Sequence, residues 1–352
     1  MDEPTSVLTP QEVDILFTTL RKLAGEGTAI LYISHKLEEI RALCERATIL
    51  RLGRVVATCD PREKSAREMA ELMVGGTLHQ PARPAEAPGE PVIEIDDLTL
   101  KPANPFGTTL RDVSLTVHAG EIVGIGGVAG NGQDELLAAL SGETRTRGDA
   151  IRLGGVSIGR LGPNARRSIG LCAAPEERLG HAAAPDMTLT ENALLSGMVR
   201  ERLAWRGFIN WRRARRFAER IIERFDVRTP GTETAARALS GGNLQKFVIG
   251  REMLQRPVAL VVNQPTWGVD ASAAAAIRQA LMDLAAEGVA VLVISQDLDE
   301  LMELADRFAA LNAGELAAAR PTRGLTLEEV GLMMGGAHDM DVARIEPERA
   351  HA

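Results

Sequence analysis

The sequence has few aromatic residues and few cysteines. Aromatic residues make up 3% of a 352-residue chain that is 45% hydrophobic. Its core must therefore be built mainly from Ala, Val, Leu and Ile. The three cysteines, Cys44, Cys59 and Cys172, share no metal-ligand spacing. This pattern argues against a cysteine-based metal site and favours free thiols in a reducing compartment.

Long apolar runs and a positive net charge are also absent. Runs such as 289–294 are far shorter than the ~20 residues that span a bilayer, and the chain begins without a signal-peptide pattern. The net charge of −8 argues against a nucleic-acid-binding protein. The sequence therefore predicts a cytosolic protein. If it works at a membrane, another subunit must cross that membrane.

Part of the sequence occurs twice. Residues 2–57 align without a gap onto 263–318, so that LAGEGTAILYISH matches LAAEGVAVLVISQ. The second copy runs for roughly 170 residues before this repeat, and we expect the equivalent part of the first copy to be absent from the chain. We predict a C-terminal remnant of a first domain at 1–76, a Pro- and Ala-rich linker at 77–91, a complete second domain at 92–336 and a polar tail at 337–352.

The stretch LSGGNLQK at 239–246 leads into an apolar pattern with helical spacing at 244–254. Ser240 stands at the N-cap position, and Gly241, Gly242 and Asn243 follow it. A helix N-terminus with small residues attracts anions, although an ordinary serine-capped helix would look similar. The eight residues together resemble the signature motif of ATP-binding-cassette (ABC) ATPases, in the form found in sugar and nucleoside importers. The resemblance covers nearly the whole chain.

A glycine-rich segment, VAGNGQDELLAAL, follows the strand predicted at 121–127. Strand, glycine loop and helix are typical of the phosphate loop G-x-x-x-x-G-K-[ST]. Here Gln133 replaces the lysine that would contact phosphate, and Asp134 replaces the hydroxyl that would hold Mg²⁺. We expect this loop to hold a phosphate poorly. Its candidate nucleotide-binding residues are Gly127, Gly130, Asn131, Gly132, Gln133 and Asp134.

An alternative interpretation of this segment is a dinucleotide fingerprint, Gly124-x-Gly126-x-x-Ala129, with Glu143 as the acidic residue further on. That interpretation leaves the signature and the repeat unexplained. A loop without its lysine also resembles the second cassette of the sugar and nucleoside importers.

Three further positions of the second copy have lost the residues that the family uses. The apolar run 257–262 ends in Asn263 and Gln264, where the resemblance implies an aspartate that orders Mg²⁺ and a glutamate that acts as general base. Gln296, after the strand predicted at 289–295, replaces the switch histidine. The resemblance therefore implies that this domain cannot complete a hydrolytic site with its own loop.

The first-domain remnant keeps the residues that the second copy has lost. Asp2 and Glu3 form the intact carboxylate pair, and His35 follows the strand predicted at 29–34. The resemblance implies that Asp2 anchors the metal, that Glu3 is the base and that His35 senses the γ-phosphate. Two cassettes of this family meet head to tail, so these residues share one site with the signature, and the degenerate residues share the other.

Two remaining motifs are weaker. The segment APEER at 174–178 resembles the glutamine loop, which faces the membrane subunits, with Glu176 in that neighbourhood. The segment 200–225 holds nine arginines with Trp205 and Trp211, a mixture that can indicate nucleic-acid binding. Helical spacing of its apolar residues instead favours the solvated face of a packed helix. Those apolar residues are Phe217, Ile221, Ile222 and Phe225.

We therefore predict an α/β phosphate-loop protein with an ABC-type nucleotide-binding domain and an incomplete second copy at its N-terminus. The resemblance implies ATP and Mg²⁺ as cofactors, and ATP hydrolysis at assembly level that drives import of a sugar or nucleoside. Its partners would be membrane-spanning permease subunits, another cassette or the missing first-cassette segment, and indirectly an extracytoplasmic solute-binding protein, at the cytoplasmic face of the plasma membrane. The alternative is a non-catalytic fragment or regulatory module that docks on a permease.

Overall fold

A computed structural model describes residues 1, 4–5, 10–34, 37–51, 53–65, 68–69, 72, 89–102 and 105–334. The residues group into two compact units, the first comprising 1–84 with 270–275 and the second 85–269 with 276–352. Most of the predicted linker and the whole predicted tail lie outside the described residues. In the second unit the described chain begins at Gly89, whose N–H donates to the carbonyl of Ala119.

The described helices are α1 (Pro10–Gly25), α2 (Leu37–Leu43), α3 (Gln133–Ser141), α4 (Pro163–Ile169), α5 (Leu189–Gly197), α6 (Trp211–Arg224), α7 (Gly241–Met253), α8 (Ala271–Ala286), α9 (Leu298–Leu304) and α10 (Leu327–Met334). The described strands are β1 (Ala47–Arg51), β2 (Arg54–Cys59), β3 (Pro91–Leu100), β4 (Leu110–His118), β5 (Ile122–Gly126), β6 (Ile151–Leu153), β7 (Val156–Ser157), β8 (Leu171–Ala174), β9 (Ala204–Trp205), β10 (Phe208–Ile209), β11 (Ala259–Asn263), β12 (Ala290–Ser295), β13 (Arg307–Asn312), β14 (Glu315–Leu316) and β15 (Arg320–Pro321).

The first unit repeats the helices of the second at the spacing that the sequence predicts. Helices α1 and α2 have the same lengths as α8 and α9 and begin 261 positions before them. Strands β1 and β2 pair as an antiparallel hairpin, with a bulge between Ile49 and Leu50.

The strand predicted at 29–34 is wrong. Among the described residues the segment forms no strand and makes one bridge, at Ile33. The N–H of Ile33 donates to the carbonyl of Met1 (2.9 Å), and the Met1 ammonium donates to the carbonyl of Leu31 (2.8 Å). Two contacts to one residue do not constitute a ladder, because a strand needs a neighbour along its length.

The second unit is built on a central sheet with the order β14-β13-β5-β12-β11-β8, in which β15 also pairs with β13. The strands β13, β5, β12, β11 and β8 are parallel. Every residue of β5, β11 and β12 is buried, as expected for a parallel sheet with both faces covered. The strands predicted at 121–127 and 289–295 are confirmed, with each end shifted by at most one residue, and the apolar run 257–262 lies largely in strand β11.

Two layers cover the central sheet. One apolar core joins it to helix α3 and to the antiparallel sheet β4-β3-β6-β7, and a second joins its other face to helices α7, α8 and α9. Parallel strands end at one edge, so the loop after β5 and the polar residues after β11 and β12 come together there.

A third core belongs to a helical region formed by α5, α6 and α7. In α6, Ala214, Phe217, Ala218 and Ile221 are buried while the arginines lie on the exposed face. The interpretation of 200–225 as a packed amphipathic helix is therefore confirmed for α6. Among the described residues, none of the helices has both the length and the apolar character needed to cross a bilayer.

Candidate functional site

The glycine loop between β5 and α3 is held in a fixed shape by its neighbours. Gly132 has φ of +113°, a left-handed conformation that favours glycine, and it stands at the N-cap of α3 without a side-chain cap. At Gly127, an added Cβ would lie 2.4 Å from the carbonyl oxygen of Leu311. Asn131 Oδ1 accepts a hydrogen bond from the N–H of Ala313 (2.8 Å). The loop thus has the close backbone packing of a phosphate loop.

The Gln133 side chain, in the lysine position, is bonded back into its own loop. Its Nε2 donates to the carbonyl of Val128 (2.9 Å), and its Oε1 accepts from the N–H of Asn131 (3.0 Å). Gln133 is 8% exposed. The backbone N–H of Asn131, which a phosphate could use, therefore already has a hydrogen-bond partner. Phosphate binding would have to replace two hydrogen bonds, each worth about 1 kcal/mol.

The polar residues at the end of β11 are buried and carry no charge. Asn263 is 1% exposed, and its Nδ2 donates to Oδ1 of Asp134 at 3.3 Å. Its own Oδ1 is buried and has no hydrogen-bond partner within the described part of the chain. This end of the sheet provides an amide where a hydrolytic site needs a carboxylate.

Gln264 is tied to the segment that follows β12. Its φ is +51°, and its N–H donates to the carbonyl of Ile294 (2.8 Å). Its Oε1 accepts from the N–H of Gln296 and from the hydroxyl of Ser295, both at 3.4 Å. Gln264 and Gln296 thus contact each other, but neither side chain can accept a proton from water as a general base.

The signature stretch forms the N-terminus of α7, as predicted. Ser240 stands at the N-cap, but its side chain makes no cap hydrogen bond. Its Oγ instead accepts from Nδ2 of Asn243 (2.8 Å). Gly241 and Gly242 form the first positions of the helix. The predicted N-cap position is confirmed, and the Ser240 hydroxyl accepts from the Asn243 side chain rather than from a backbone N–H.

Arg178 lies against this helix N-terminus. Its Nε donates to Oε1 of Gln245 (3.0 Å), and an added Cβ on Gly241 would lie 2.7 Å from its Nη1. An added Cβ on Gly268 would lie 3.2 Å from its Nη2. Burial lowers the pKa of Arg178. Arg178 is the last residue of the APEER segment at 174–178, and this place is the only signal in the sequence that points to it.

A cavity of about 850 Å³ in the second unit is lined by residues of α3, of the segment after β8 and of the N-terminal part of α7. Its lining includes the carboxylates of Asp134, Glu143, Glu176 and Glu177. The Glu143 carboxylate pairs with His181 at 3.0 Å. Burial and then the nearby charge of Asp134 raise the pKa of Glu176. The cavity wall beside α3 is thus acidic, which opposes binding of a triphosphate.

A buried carboxyl group that the sequence analysis missed connects the segments after β11 and β12. Glu300 is 3% exposed and accepts from the hydroxyls of Thr266 (2.7 Å) and Ser295 (2.8 Å). Burial raises its pKa to about 7. In the first unit, Thr5 Oγ1 makes the same contact to Glu39 at 2.7 Å. The repeat aligns these two pairs, so the signal was present in the sequence.

Asp2, Glu3 and His35 lie outside the described residues.

Comparison with known proteins identifies the family. The profile described as "ABC transporter" matches residues 110–267. The chain is 38% identical over 342 residues to a glucose import ATP-binding protein of Haloferax volcanii, covering 96% of this chain and 62% of that protein. It is 37% identical over 338 residues to a nucleoside import ATP-binding protein of Lactococcus lactis, covering 96% and 67%. It is 39% identical over 344 residues to a guanosine import ATP-binding protein of Bacillus subtilis, covering 97% and 67%. The chain thus spans between 62% and 67% of the length of these relatives.

Solved structures agree on the fold. An ATP-binding subunit of an ABC transporter matches with a TM-score of 0.56 at 21% identity, over 69% of this chain and 99% of that chain. A dimeric ATP-binding cassette bound to ADP and phosphate matches with a TM-score of 0.57 at 21% identity, over 66% and 100%. The chain belongs to the ABC transporter family, among its import ATP-binding proteins.

Proposed function

We propose that this chain provides most of the ATP-binding subunit of an importer that takes up a sugar or a nucleoside. The subunit couples ATP binding and hydrolysis to movement of the solute through membrane-spanning permease partners. It works at the cytoplasmic face of the membrane, and an extracytoplasmic binding protein delivers the solute. The observation that carries this proposal is the identity of 37–39% to glucose, nucleoside and guanosine import proteins across nearly the whole chain.

One of the two composite sites hydrolyses ATP in this proposal. The first unit provides Asp2 as the Mg²⁺ ligand, Glu3 as the base that takes a proton from the attacking water, and His35 as the contact to the γ-phosphate. When bound, Mg²⁺ neutralises phosphate charge. The helix N-terminus at Ser240 provides backbone N–H groups that bind phosphate. A lysine-bearing phosphate loop must come from another cassette segment.

The other composite site is structural. The loop of the second unit does not fit a triphosphate, because the Gln133 side chain satisfies the N–H of Asn131 and the cavity beside it is acidic. The Nδ2 of Asn263 and the Oε1 of Gln264 are engaged with neighbouring groups. We therefore assign no chemical step to this site.

The test is a chimera in which this chain replaces the matching part of the guanosine import relative, expressed in cells that lack that relative. We expect guanosine uptake and ATP hydrolysis. Glu3→Gln and Ser240→Arg should each reduce hydrolysis by about 100-fold, because one removes the base and the other blocks the phosphate site. Gln133→Ala, which changes the structural site, should alter hydrolysis by less than about twofold.

Two outcomes would contradict the proposal. One is a chimera that folds and reaches the membrane without hydrolysing ATP. The other is a loss of hydrolysis on Gln133→Ala while Ser240→Arg spares it, which would mean that the working and structural sites are exchanged.

A further inference from the structure

A short hairpin in the second unit exposes large apolar side chains. Strands β9 and β10 are antiparallel, with Trp205 opposite Phe208. The turn residues Arg206 and Gly207 both have positive φ, +47° and +86°, as in the type I′ turns of tight hairpins. Residues opposite each other in a strand pair point to the same face. Trp205 is 71% exposed and Phe208 is 79% exposed, so this face of the hairpin is apolar and open to solvent.

The hairpin is anchored at its base and leads directly into α6. Leu203 is buried and belongs to the core of the helical region. The N–H of Asn210 donates to the carbonyl of Leu203 (2.7 Å), and Oδ1 of Asn210 accepts from the N–H of Arg213 (3.0 Å) in the first turn of α6. Trp211, the first residue of α6, is exposed. The hairpin and the start of α6 therefore form one surface, which holds two of the three tryptophans of the chain.

This surface, residues 202–216, is strongly basic although the protein is acidic. It contains six arginines and no aspartate or glutamate, whereas the whole chain has a net charge of −8. The guanidinium of Arg206 lies over the ring of Trp205, 4.6 Å from its centroid. Aromatic and basic groups thus occur side by side on the surface, and an anionic partner would meet a local charge opposite to that of the chain as a whole.

The arginines at the start of α6 do not stabilise that helix. Arg212, Arg213 and Arg216 lie in its first two turns and are exposed. A helix N-terminus carries partial positive charge, so cations are unfavourable there. In the described part of the chain Arg215 pairs with Glu233, but the other three arginines have no ion pair. Their placement therefore favours a negatively charged partner outside the chain.

A cavity of about 430 Å³ adjoins this surface at Arg202. Arg200, Arg220 and Arg256 also line it. Arg220 pairs with Glu201, and Arg200 donates to the backbone carbonyl of Arg256. Arg202 and Arg256 are exposed and, within the described ranges, have no ion pair. The cavity thus provides arginine donors of the kind that bind phosphate groups.

We propose that the surface 202–216 binds the headgroup region of an anionic phospholipid membrane. Trp205, Phe208 and Trp211 would lie at the headgroup level, where the amphipathic rings of tryptophan are favoured. The arginines would contact lipid phosphates, because basic segments are attracted to anionic leaflets. The acidic remainder of the chain would be repelled, so binding would also orient the second unit with this surface towards the membrane.

A lipid surface fits these observations better than a nucleic acid or a protein. An extended nucleic acid would also meet the acidic remainder of the chain. A protein partner usually buries its anchor residues in fitted pockets, whereas these rings lie on a tight hairpin flanked by arginines. The inference rests on the proposed function only in placing the chain at a membrane.

The test measures binding of the full-length chain to phosphatidylcholine vesicles with and without about 30% phosphatidylglycerol, in the absence of ATP and permease. We expect binding only to the anionic vesicles, weakened at least about tenfold when salt rises from about 50 to about 500 mM. Arg212→Gln, Arg213→Gln and Arg216→Gln together should weaken binding at least about 20-fold, because each basic residue near an anionic leaflet contributes about fivefold. Trp205→Ala with Phe208→Ala should weaken it about tenfold, because apolar burial is lost.

Matched controls change the same chemistry elsewhere in the second unit. Arg145→Gln, Arg160→Gln and Arg323→Gln together remove the same charge from exposed positions outside the surface, and should weaken binding by less than about threefold. Phe106→Ala removes a ring that is 97% exposed in the loop between β3 and β4, and should change binding by less than about twofold.

A second measurement excludes misfolding as the cause of lost binding. The thermal midpoint of the triple variant at Arg212, Arg213 and Arg216 should equal or exceed that of the wild-type chain, because cations are removed from a helix N-terminus. A lower midpoint would show that these arginines stabilise the fold and would contradict their assignment to lipid.

Three further results would overturn the proposal. The first is no binding to anionic vesicles at about 50 mM salt. The second is an equal loss of binding in the two triple arginine variants, which would indicate diffuse attraction. The third is tighter binding to a single-stranded oligonucleotide than to the vesicles at the same salt, which would assign the surface to nucleic acid. Vesicle binding by a chain whose chimera does not import guanosine would contradict the proposed function alone.

Discussion

The segments 29–34 and 290–295 have nearly the same sequence, AILYIS and AVLVIS, but different structures. In the second unit the segment is β12, which lies between β5 and β11 with all six residues buried. In the first unit the segment makes one bridge, at Ile33, and its backbone bonds to Met1; Leu31 and Ile33 are 76% and 52% exposed. The two helices form in both copies, as α1 and α2 in the first and as α8 and α9 in the second. A helix satisfies its backbone internally, whereas a strand needs neighbours to form.

The two copies also share a contact that does not depend on the sheet. Thr5 bonds to Glu39, and Thr266 bonds to Glu300, each at 2.7 Å. This contact joins the segment that carries the Asp-Glu or Asn-Gln pair to the helix that follows the switch position. The copies thus keep a polar connection while differing in their catalytic residues and in their strands.

The largest expected effect concerns ATP hydrolysis by the isolated chain. The first unit has the carboxylates Asp2 and Glu3, and the second has the signature, but neither has a loop with a lysine. We expect turnover at least about 100-fold below the ordinary enzyme value of roughly 10 s⁻¹ in a phosphate-release assay with Mg·ATP. Turnover near about 1 s⁻¹ that disappears on Glu3→Gln would contradict this expectation.

Limited proteolysis should separate the two copies by stability. The apolar side chains of Leu31 and Ile33 are exposed in the first unit, whereas the equivalent strand of the second unit is buried. We expect cleavage within 77–91 and a resistant fragment covering 92–336, with the fragment 1–76 degraded at least about tenfold faster. Equal lifetimes of the two fragments would show that the first copy folds without the neighbouring strands.

Glu300 should make the stability of the second unit depend on pH. Its folded pKa is raised to about 7 from the ordinary value of 4.5, so its protonated form is favoured in the folded state. Its stabilising contribution is therefore fully present below about pH 4.5 and is lost as pH rises through about 7. We expect a loss on the order of 1–3 kcal/mol across this window, measured by urea unfolding at several pH values.

Glu300→Gln should flatten this pH dependence and raise stability at pH 8, because the amide keeps an acceptor for the hydroxyls and cannot ionise. The control is Glu303→Gln on the same helix, where the side chain is exposed and the pH dependence should remain. A wild-type slope that persists in Glu300→Gln would assign the titration to another group.

The smallest effect concerns Arg178, whose contact to the signature helix belongs to the second unit. Arg178→Lys removes the Nε donor to Gln245 and should lower the free energy of unfolding by about 1 kcal/mol, or roughly 2–4 °C in the thermal midpoint. Arg237→Lys, at an exposed pair with Asp186, should change it by less than about 0.5 kcal/mol. Equal effects of the two substitutions would show that the Gln245 contact contributes nothing specific.

The sequence by itself determined the repeat, the strands β5, β11 and β12 of the second unit and the helix behind the signature. It also determined which charges the second copy has lost, since Gln133, Asn263 and Gln264 are read directly from aligned motifs. These features depend on residue identity and on periodicity over short windows, which are properties of the linear chain. The strand at 29–34 was predicted wrongly because the same periodicity carries no information on whether neighbouring strands are present.

Only the tertiary structure decided what the altered residues do. It turned Gln133 back onto Val128, brought Asn263 to Asp134, 129 positions away, and placed Arg178 on Gln245, 67 positions away. It also buried Glu300 between two hydroxyls. The direction of a polar side chain is set by which donors and acceptors surround it once the chain has folded, and burial then fixes the choice by making unsatisfied groups costly.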